Sequence, residues 1–316
     1  MKKQLFSLVT AAVFSVIALS CVSCSSSDKS AAEEIATEPV VTEEQAVQTT
    51  VPEKITIDLF DINSLHAILI DAGSGEVIAE KAGYDTIYPA SMTKIMTAIV
   101  AIENFEDLNS YVTIPEEAVS SAHALGGSTA GFWAGETITA LDLIYGILLP
   151  SGCECCIAAG IIISGSESAF VELMNQKAAE LGMTGTHFEN ATGLHNDNHY
   201  STPNDIAKLM RYAYSNEVFK QVDTTFYHRA INGKALSSTM FTKIHDIYGN
   251  ADVIGGRIIG GKTGTTDEAG SCLCSFAEIY GKEYILCTTN AQYSGLNVAD
   301  AKIVYNRLGH ALDPLS

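Results

Sequence analysis

Hydrophobic residues change their spacing along the chain, and each change predicts an element. The run LHAILIDA (65–72) is mostly apolar, a Gly-Ser-Gly turn follows, and EVIAEK (76–81) alternates, which together predict a β-hairpin. From Ser91 onward, SMTKIMTAIVAIENF has its apolar residues at helical spacing, which predicts a helix. Residues 140–165 and 168–182 are also predicted to be helices.

Further along, STPNDIAKLMRYAYSN predicts a helix that Thr202 caps, with Pro203 in the first turn and Asp205 completing a capping box. A second hairpin is expected from GSCLCSFAEIY and EYILCTTNAQ, and ADAKIVYNRLGHAL is expected to form a closing helix. Strands near both ends with helices between them predict an α/β (α+β) fold. An antiparallel sheet would form from the N- and C-terminal segments, flanked by helices, with an all-helical lobe inserted at about residues 103–255.

The first 52 residues differ from the rest. Residues 1–20 combine two lysines with an apolar run too short for a comfortable membrane span, which predicts an export signal. Ser20 before Cys21 resembles a bacterial lipobox and predicts a lipid on Cys21, with Cys24 as the alternative. An ordinary cleaved signal with incidental cysteines is the other interpretation. Residues 21–52 lack aromatic side chains and are rich in Ser, Thr, Glu and Ala, so a flexible acidic linker is expected.

Composition limits the function classes. The 316 residues are 47% hydrophobic and 17% charged, which is typical of a globular protein, and 53–316 is long enough for a sizeable core. The net charge of −19 argues against a nucleic-acid partner, because an acidic surface repels phosphates. Much of this charge lies in the acidic linker, so it says little about a substrate.

Three short motifs could carry chemistry. Ser91 and Lys94 lie three residues apart at a helix start, which places both on one face, so the lysine could activate the serine as a nucleophile. Taken alone, this pair is equally typical of a helix cap and a surface lysine. The segment Lys262-Thr263-Gly264 could hold a carboxylate and admit a substrate backbone, although alone it could be a Gly-rich turn.

The third motif, Ser151-Gly152-Cys153, lies between the other two in the chain. This order resembles the penicillin-recognising serine enzymes, whose three motifs line one cleft. Longer blocks, including IYPASMTKIMTAIVAIE, LDLIYGILLPSG, HFENATGLHNDNHYSTPNDIAKLMRYA and GGKTGTTDEAGSCL, resemble the D-alanyl-D-alanine carboxypeptidase family over roughly residues 60–290. The resemblance implies a β-lactamase/transpeptidase-like fold, no cofactor, and β-lactam antibiotics as ligands besides the substrate.

For catalysis, the resemblance implies that Ser91 attacks the carbonyl between the two terminal D-alanines of a peptidoglycan stem peptide. Lys94 would take the serine proton, and Ser151 would help to pass a proton to the leaving D-alanine. The N–H groups of Ser91 and Thr265 would form the oxyanion hole.

For substrate binding, the resemblance implies that Lys262 and Thr263 hold the terminal carboxylate, beside Gly264 and Thr265. Lys262 would also help to keep Lys94 neutral. Cys153 departs from the family pattern, which usually has Asn there. A thiol is a weak donor that cannot replace both hydrogen bonds of an amide, so a reduced rate is expected.

Two other functions remain open at this point. The chain could bind wall peptides or penicillin without turnover, because Cys153 lacks the orienting amide. It could instead be a β-lactamase, although no Glu-x-x-Leu-Asn segment provides a deacylating carboxylate.

Metal sites are weaker alternatives. Cys153 with Cys156 and Cys272 with Cys274 could face a zinc ion. However, the usual zinc motif has two C-x-x-C pairs, and these cysteines do not provide two. Small buried apolar cysteines are the favoured interpretation for Cys155, Cys156, Cys272, Cys274 and Cys287. The segment HNDNH places His195, Asp197 and His199 at ligand-like spacing, although it also matches a loop of the family.

The resemblance also bears on location. Many relatives continue into a small β-domain and a C-terminal amphipathic anchor, whereas this sequence stops at Ser316. We therefore expect an N-terminal lipid to hold the protein at the outer face of the cytoplasmic membrane.

Overall fold

The computed structural model describes residues 55–313 and 315, and its centre is a six-stranded antiparallel sheet in the order β2-β1-β10-β9-β8-β7. The strands are β1 (His66–Asp71), β2 (Val77–Lys81), β7 (Asp252–Val253), β8 (Gly256–Thr266), β9 (Gly270–Ile279) and β10 (Lys282–Ala291). β1 pairs with β10, so the two ends of the domain meet in one sheet. This confirms the prediction of a sheet built from both terminal segments.

Helices make up about half of the segment between β2 and β7. They are α1 (Thr93–Asn104), α2 (Glu116–Ala124), α3 (Ala140–Leu148), α4 (Cys153–Ser164), α5 (Glu167–Glu180), α6 (Pro203–Tyr214), α7 (Glu217–Asp223) and α8 (Thr239–Tyr248), with α9 (Leu296–Leu312) closing the domain. A short 3₁₀ turn, Ala90–Met92, precedes α1.

An all-helical lobe was predicted for residues 103–255, but the inserted segment is not all-helical. Two short two-stranded sheets interrupt it, formed by β3 (Tyr111–Thr113) with β4 (Thr137–Thr139) and by β5 (Tyr227–Arg229) with β6 (Ala235–Ser237). With three residues in each strand, the period-2 pattern is too brief to separate a strand from a loop.

Both faces of the sheet are buried. Alternate residues of β9 point to opposite sides, so Cys274 and Phe276 join the core formed with α1, α3 and α4, whereas Leu273 and Ala277 join a second core. The second core is completed largely by α9, which packs on β9 and β10. Fully buried strands and helices explain the long apolar runs in the sequence.

Two local predictions were wrong in detail. Residues 140–165 do not form one helix, because α3 ends at Leu148 and α4 begins at Cys153, with Ser151 at φ +66° between them. Thr202 does cap α6 by accepting from the Asp205 N–H. However, the Asp205 carboxylate accepts from Gly185 N and Thr186 Oγ1, so the predicted capping box is only half formed.

The export signal, the lipid sites Cys21 and Cys24, and the acidic linker lie outside the described residues. Between residues 55 and 313, no single helix has the length and apolar character needed to cross a membrane. Only α4 and α5 together meet that criterion, and they are bent by 89°.

Candidate active site

Ser91 and Lys94 meet where the 3₁₀ turn runs into α1. The Lys94 Nζ lies 3.1 Å from Ser91 Oγ, and the lysine is fully buried, as are most residues of α1. The same amine donates to the Thr192 carbonyl at 2.6 Å. This carbonyl holds the amine beside the serine, so Lys94 is a buried residue in contact with Ser91 and not a surface lysine beside a cap. The catalytic roles of the two residues stay predictions.

Ser151 and Lys262 form a second serine–lysine pair. The Lys262 Nζ donates to Ser151 Oγ at 3.1 Å and to the Thr263 carbonyl at 2.9 Å. Ser151 lies in the break between α3 and α4, where its positive φ of 66° is an uncommon conformation for a non-glycine residue. Ser128 Oγ donates to the Ser151 carbonyl at 2.6 Å and stabilises this conformation.

β8, which carries Lys262, passes close to Ser91. A Cβ at Gly264 would lie 2.8 Å from Ser91 N, so only glycine permits this approach. Beyond its first two residues, β8 pairs only with β9 among the described strands, so its other edge has no strand partner there, and the 3₁₀ turn also contacts β8. An extended peptide could therefore add along this edge, and the Thr263 hydroxyl lies there, 3.0 Å from Thr239 Oγ1.

The neighbouring Thr265 lies in the same strand and donates from its hydroxyl to the Gly264 carbonyl at 2.7 Å. Its backbone is paired in register with Ser271 of β9. The oxyanion role of the Thr265 and Ser91 N–H groups stays a prediction.

Charge in the cleft is unevenly distributed. Burial, followed by the charge of Lys94, lowers the pKa of Lys262 to about 7, while Asp223 opposes this shift. Near neutral pH, Lys262 can therefore exchange a proton with a neighbour at little cost. A cation beside Ser151 Oγ and Thr263 suits a ligand carboxylate.

Cys153 is the first residue of α4 and is only 1% exposed. Its Sγ lies 3.5 Å from Lys94 Nζ and 3.9 Å from Ser128 Oγ, between the two serine–lysine pairs. A thiol at this position makes only weak hydrogen bonds, in line with the concern raised by the sequence.

The other described cysteines are buried and free, which confirms their interpretation as small core residues. Burial raises the pKa of Cys156 and Cys155, and Cys156 Sγ donates to the Gly152 carbonyl. Among residues 55–313, no group of three or more His, Cys, Asp or Glu side chains could hold a metal ion.

Within the described residues, the structure does not bring His195, Asp197 and His199 of HNDNH together as one group of ligands. His199 is buried, accepts from the Glu189 N–H at Nδ1 and lies 2.8 Å from Thr93 Oγ1 through Nε2. Burial lowers the pKa of His199 to about 4, so the ring is neutral and supports the segment beneath Ser91. His195 instead lies near Asp197 and Glu268.

Sequence reasoning missed Glu154, which holds the loop beside the cleft. Its Oε1 accepts from the N–H groups of Ala130, Gly131 and Phe132, and the residue is 1% exposed. Burial raises its pKa despite these bonds. Its position directly after Cys153, at a helix start, was the only available signal, and it does not reveal the loop as the partner.

Comparisons with known proteins agree with this geometry. A family model described as D-alanyl-D-alanine carboxypeptidase matches residues 47–293. D-alanyl-D-alanine carboxypeptidase DacF of Bacillus subtilis (strain 168) is 33% identical over 216 residues, covering 67% of this chain and 53% of that protein. The D-alanyl-D-alanine carboxypeptidase of Streptomyces sp. (strain K15) is 33% identical over 232 residues, covering 70% of this chain and 78% of its own length.

Solved structures show the same fold. The crystal structure of the Streptomyces K15 DD-transpeptidase matches with a TM-score of 0.70 and 28% identity, covering 79% of this chain and 98% of that one. The Mycobacterium tuberculosis H37Rv D-alanyl-D-alanine carboxypeptidase gives 0.69 and 26%, covering 82% and 95%. The chain spans about half the length of the Bacillus relative. By the family match over residues 47–293, this chain belongs to the D-alanyl-D-alanine carboxypeptidase family.

Proposed function

We propose that this protein is a serine D,D-carboxypeptidase that removes the terminal D-alanine from peptidoglycan stem pentapeptides. The observation that carries the proposal is the convergence of two serine–lysine pairs, Ser91 with Lys94 and Ser151 with Lys262, on the free edge of β8. One pair can activate a nucleophile, and the other can bind the substrate's carboxylate and protonate the leaving group.

Acylation would begin with Ser91. Its Oγ attacks the carbonyl of the penultimate D-alanine while Lys94, 3.1 Å away, takes the hydroxyl proton. The tetrahedral oxyanion would accept hydrogen bonds from the N–H groups of Ser91 and Thr265. Each such donor typically stabilises the transition state by about 3 to 4 kcal/mol. The close approach of Gly264 to Ser91 N supports this assignment, because Gly264 directly precedes Thr265 in β8.

Collapse of the intermediate breaks the C–N bond, and the departing amine needs a proton. Ser151 Oγ can donate one and be reprotonated by Lys262, 3.1 Å away. Lys262 and Thr263 would meanwhile bind the terminal carboxylate. Water then hydrolyses the ester on Ser91 and completes the cycle. A β-lactam would acylate the same serine, and its ring-opened leaving group would stay attached.

The test is release of D-alanine from Nα,Nε-diacetyl-Lys-D-Ala-D-Ala. Wild-type protein should release it, and Ser91→Ala should abolish both release and labelling by a fluorescent penicillin. Lys262→Ala should weaken both reactions, because both ligands carry a carboxylate. Labelling without any D-alanine release would instead indicate a binding protein, and rapid nitrocefin hydrolysis would indicate a β-lactamase.

Transfer of the acyl group to an amine is a second candidate function. The observation that favours it is that the similar Streptomyces K15 structures are of a DD-transpeptidase, and they include variants at a serine and at a cysteine two positions later. Ser151 and Cys153 have the same spacing. Adding glycylglycine to the assay should divert product from hydrolysis to a new peptide if transfer competes with water.

We also propose that the protein is an N-terminally anchored lipoprotein at the outer face of the cytoplasmic membrane. The support is the apolar run followed by Ser20-Cys21 in the sequence. Cys21→Ser should release the protein from the membrane fraction. If Cys21→Ser and Cys24→Ser both remain fully membrane-bound, the anchor lies elsewhere.

A further inference from the structure

A buried carboxylate lies behind the cleft and has no part in the steps above. Asp223 is the last residue of α7 and is only 2% exposed. The Tyr214 hydroxyl donates to its Oδ2 at 2.7 Å, and the Tyr214 ring stacks on Phe276 of β9 at 3.8 Å between centroids. A carboxylate is costly to bury, so it needs a compensating partner.

Its contacts lead to the strand that carries Lys262. A Cβ at Gly260 would lie 1.9 Å from Tyr214 Oη and 2.6 Å from Asp223 Oδ2, so the pair occupies the space of a missing side chain. The backbone N–H of Gly261, at φ +150°, is near enough to the same carboxylate to oppose the rise in its pKa. The register between β8 and β9 shifts at Ile258/Gly260, which marks a bulge two residues before Lys262.

The charges around Lys262 are asymmetric. Lys94 on α1 opposes its ammonium form, whereas Asp223 on α7 favours it. Cys153 and Cys156 on α4 would favour it only as thiolates, and burial raises the pKa of the Cys156 thiol. Of these groups, Asp223 alone is a carboxylate. Burial raises the pKa of Asp223 to about 6, although Tyr214 and Lys262 oppose the shift. Tyr214 itself is held neutral, because burial and Asp223 raise its pKa.

We propose that Asp223 is a positioning residue for Lys262. It anchors the bulge that directs the lysine side chain toward Ser151, and it supplies the buried negative charge that favours the ammonium form needed to bind a ligand's carboxylate. This role rests on the proposed function, because Lys262 is taken to bind that carboxylate. Asp223 acts through Lys262 and does not touch the substrate.

The pH dependence follows from the sign of this interaction. Above pH 6 the ionised Asp223 raises the pKa of Lys262, and removing that charge lowers it. Asp223→Asn should therefore move the alkaline limb of acylation to lower pH by about one unit. At pH 7.5 the second-order rate constant for penicillin acylation should fall by about tenfold. At pH 5 the wild-type carboxyl is itself protonated, so variant and wild type should converge.

The experiment measures acylation of Ser91 by a fluorescent penicillin from pH 5 to 8.5 in the full chain. Tyr214→Phe is the companion variant, because it keeps the charge but removes a hydrogen bond from the carboxylate. Tyr214→Phe should raise the pKa of Asp223. As the pH falls, the acylation rate of Tyr214→Phe should therefore approach that of Asp223→Asn at a higher pH than the wild-type rate does. Circular dichroism and urea unfolding check that both variants fold.

A loss in Asp223→Asn that is equal at every pH would overturn the proposal, because it would indicate packing alone. A profile identical to wild type would overturn it as well. Penicillin acylation needs no turnover, so the readout is independent of the carboxypeptidase assay. If D-alanine release is absent while the acylation profile shifts as expected, the proposed function fails and the role of Asp223 stands.

Discussion

Replacing Cys153 with asparagine should raise the rate of D-alanine release. The thiol lies 3.5 Å from Lys94 Nζ and 3.9 Å from Ser128 Oγ, so its present contacts are weak. A Cβ at Gly127 would lie 2.8 Å from Cys153 Sγ, so there is no room on that side. The larger Asn amide must therefore extend into the cleft, where Lys94 and a substrate carbonyl can meet it.

The size of the gain can be worked from these contacts. An amide oxygen would accept from the Lys94 side, and the amide N–H₂ would donate to the peptide. A net hydrogen bond contributes about 0.5–1.5 kcal/mol, or about 1.5–3 kcal/mol when one partner is charged. Rearrangement of the cleft around the larger side chain offsets part of this energy. The remaining stabilisation of the transition state is about 1.5–3 kcal/mol. Since about 1.4 kcal/mol corresponds to tenfold, kcat/KM should rise roughly 10- to 100-fold.

The assay is D-alanine release from the diacetyl peptide under substrate-limited conditions. Cys153→Ser is the matched control, because it is small and polar but has no amide, and it should give no comparable gain. An unchanged or lower kcat/KM in Cys153→Asn, with Ser91 still fully labelled by penicillin, would refute the reasoning. Cys153 would then not lower the rate of D-alanine release in this cleft.

Three further predictions concern the support of the site. Gly264→Ala forces a Cβ to within 2.8 Å of Ser91 N, so penicillin acylation should fall by about 100-fold, while Gly73→Ala in the β1–β2 turn should leave it unchanged. Glu154→Ala removes the acceptor of three backbone N–H groups and should lower the free energy of unfolding by about 3 kcal/mol in urea titrations; Glu154→Gln, which keeps an oxygen, should cost less than half as much. The pKa of His199 in the folded protein is lowered from 6.5 to about 4, so its contribution to stability is complete above pH 6.5 and is lost as the pH falls toward 4. The total loss in the free energy of unfolding should be about 3 kcal/mol. A His199→Gln variant whose free energy of unfolding keeps the full dependence on pH would contradict this assignment.

The sequence predicted the elements whose patterns are long and locally determined. Both sheet hairpins, α1, α6 and α9 lie where apolar spacing and cap residues placed them. The break at Leu149–Gly152 was missed because α3 and α4 are apolar on nearly every side. Their sequences therefore have no alternation of apolar and polar positions in which a break would be visible.

The three motifs were also predictable, because each is a short pattern of chemically reactive residues. The residues that support them were not. Glu154 binds a loop more than 20 positions away, and Tyr214 with Asp223 packs against Gly260, some 40 positions further along the chain. These contacts depend on how helices pack on the sheet, which no local spacing encodes. Asp205 shows the same limit, since tertiary partners replace its expected place in a capping box.

The measurement that tests the central claim most directly is D-alanine release by wild-type protein beside Ser91→Ala, with penicillin labelling of the same samples. The account predicts release and labelling in wild type, and neither in the variant that keeps Lys94 but lacks the 3.1 Å hydroxyl partner. Release that persists in Ser91→Ala would contradict it, because the acyl-enzyme could then not form on this serine.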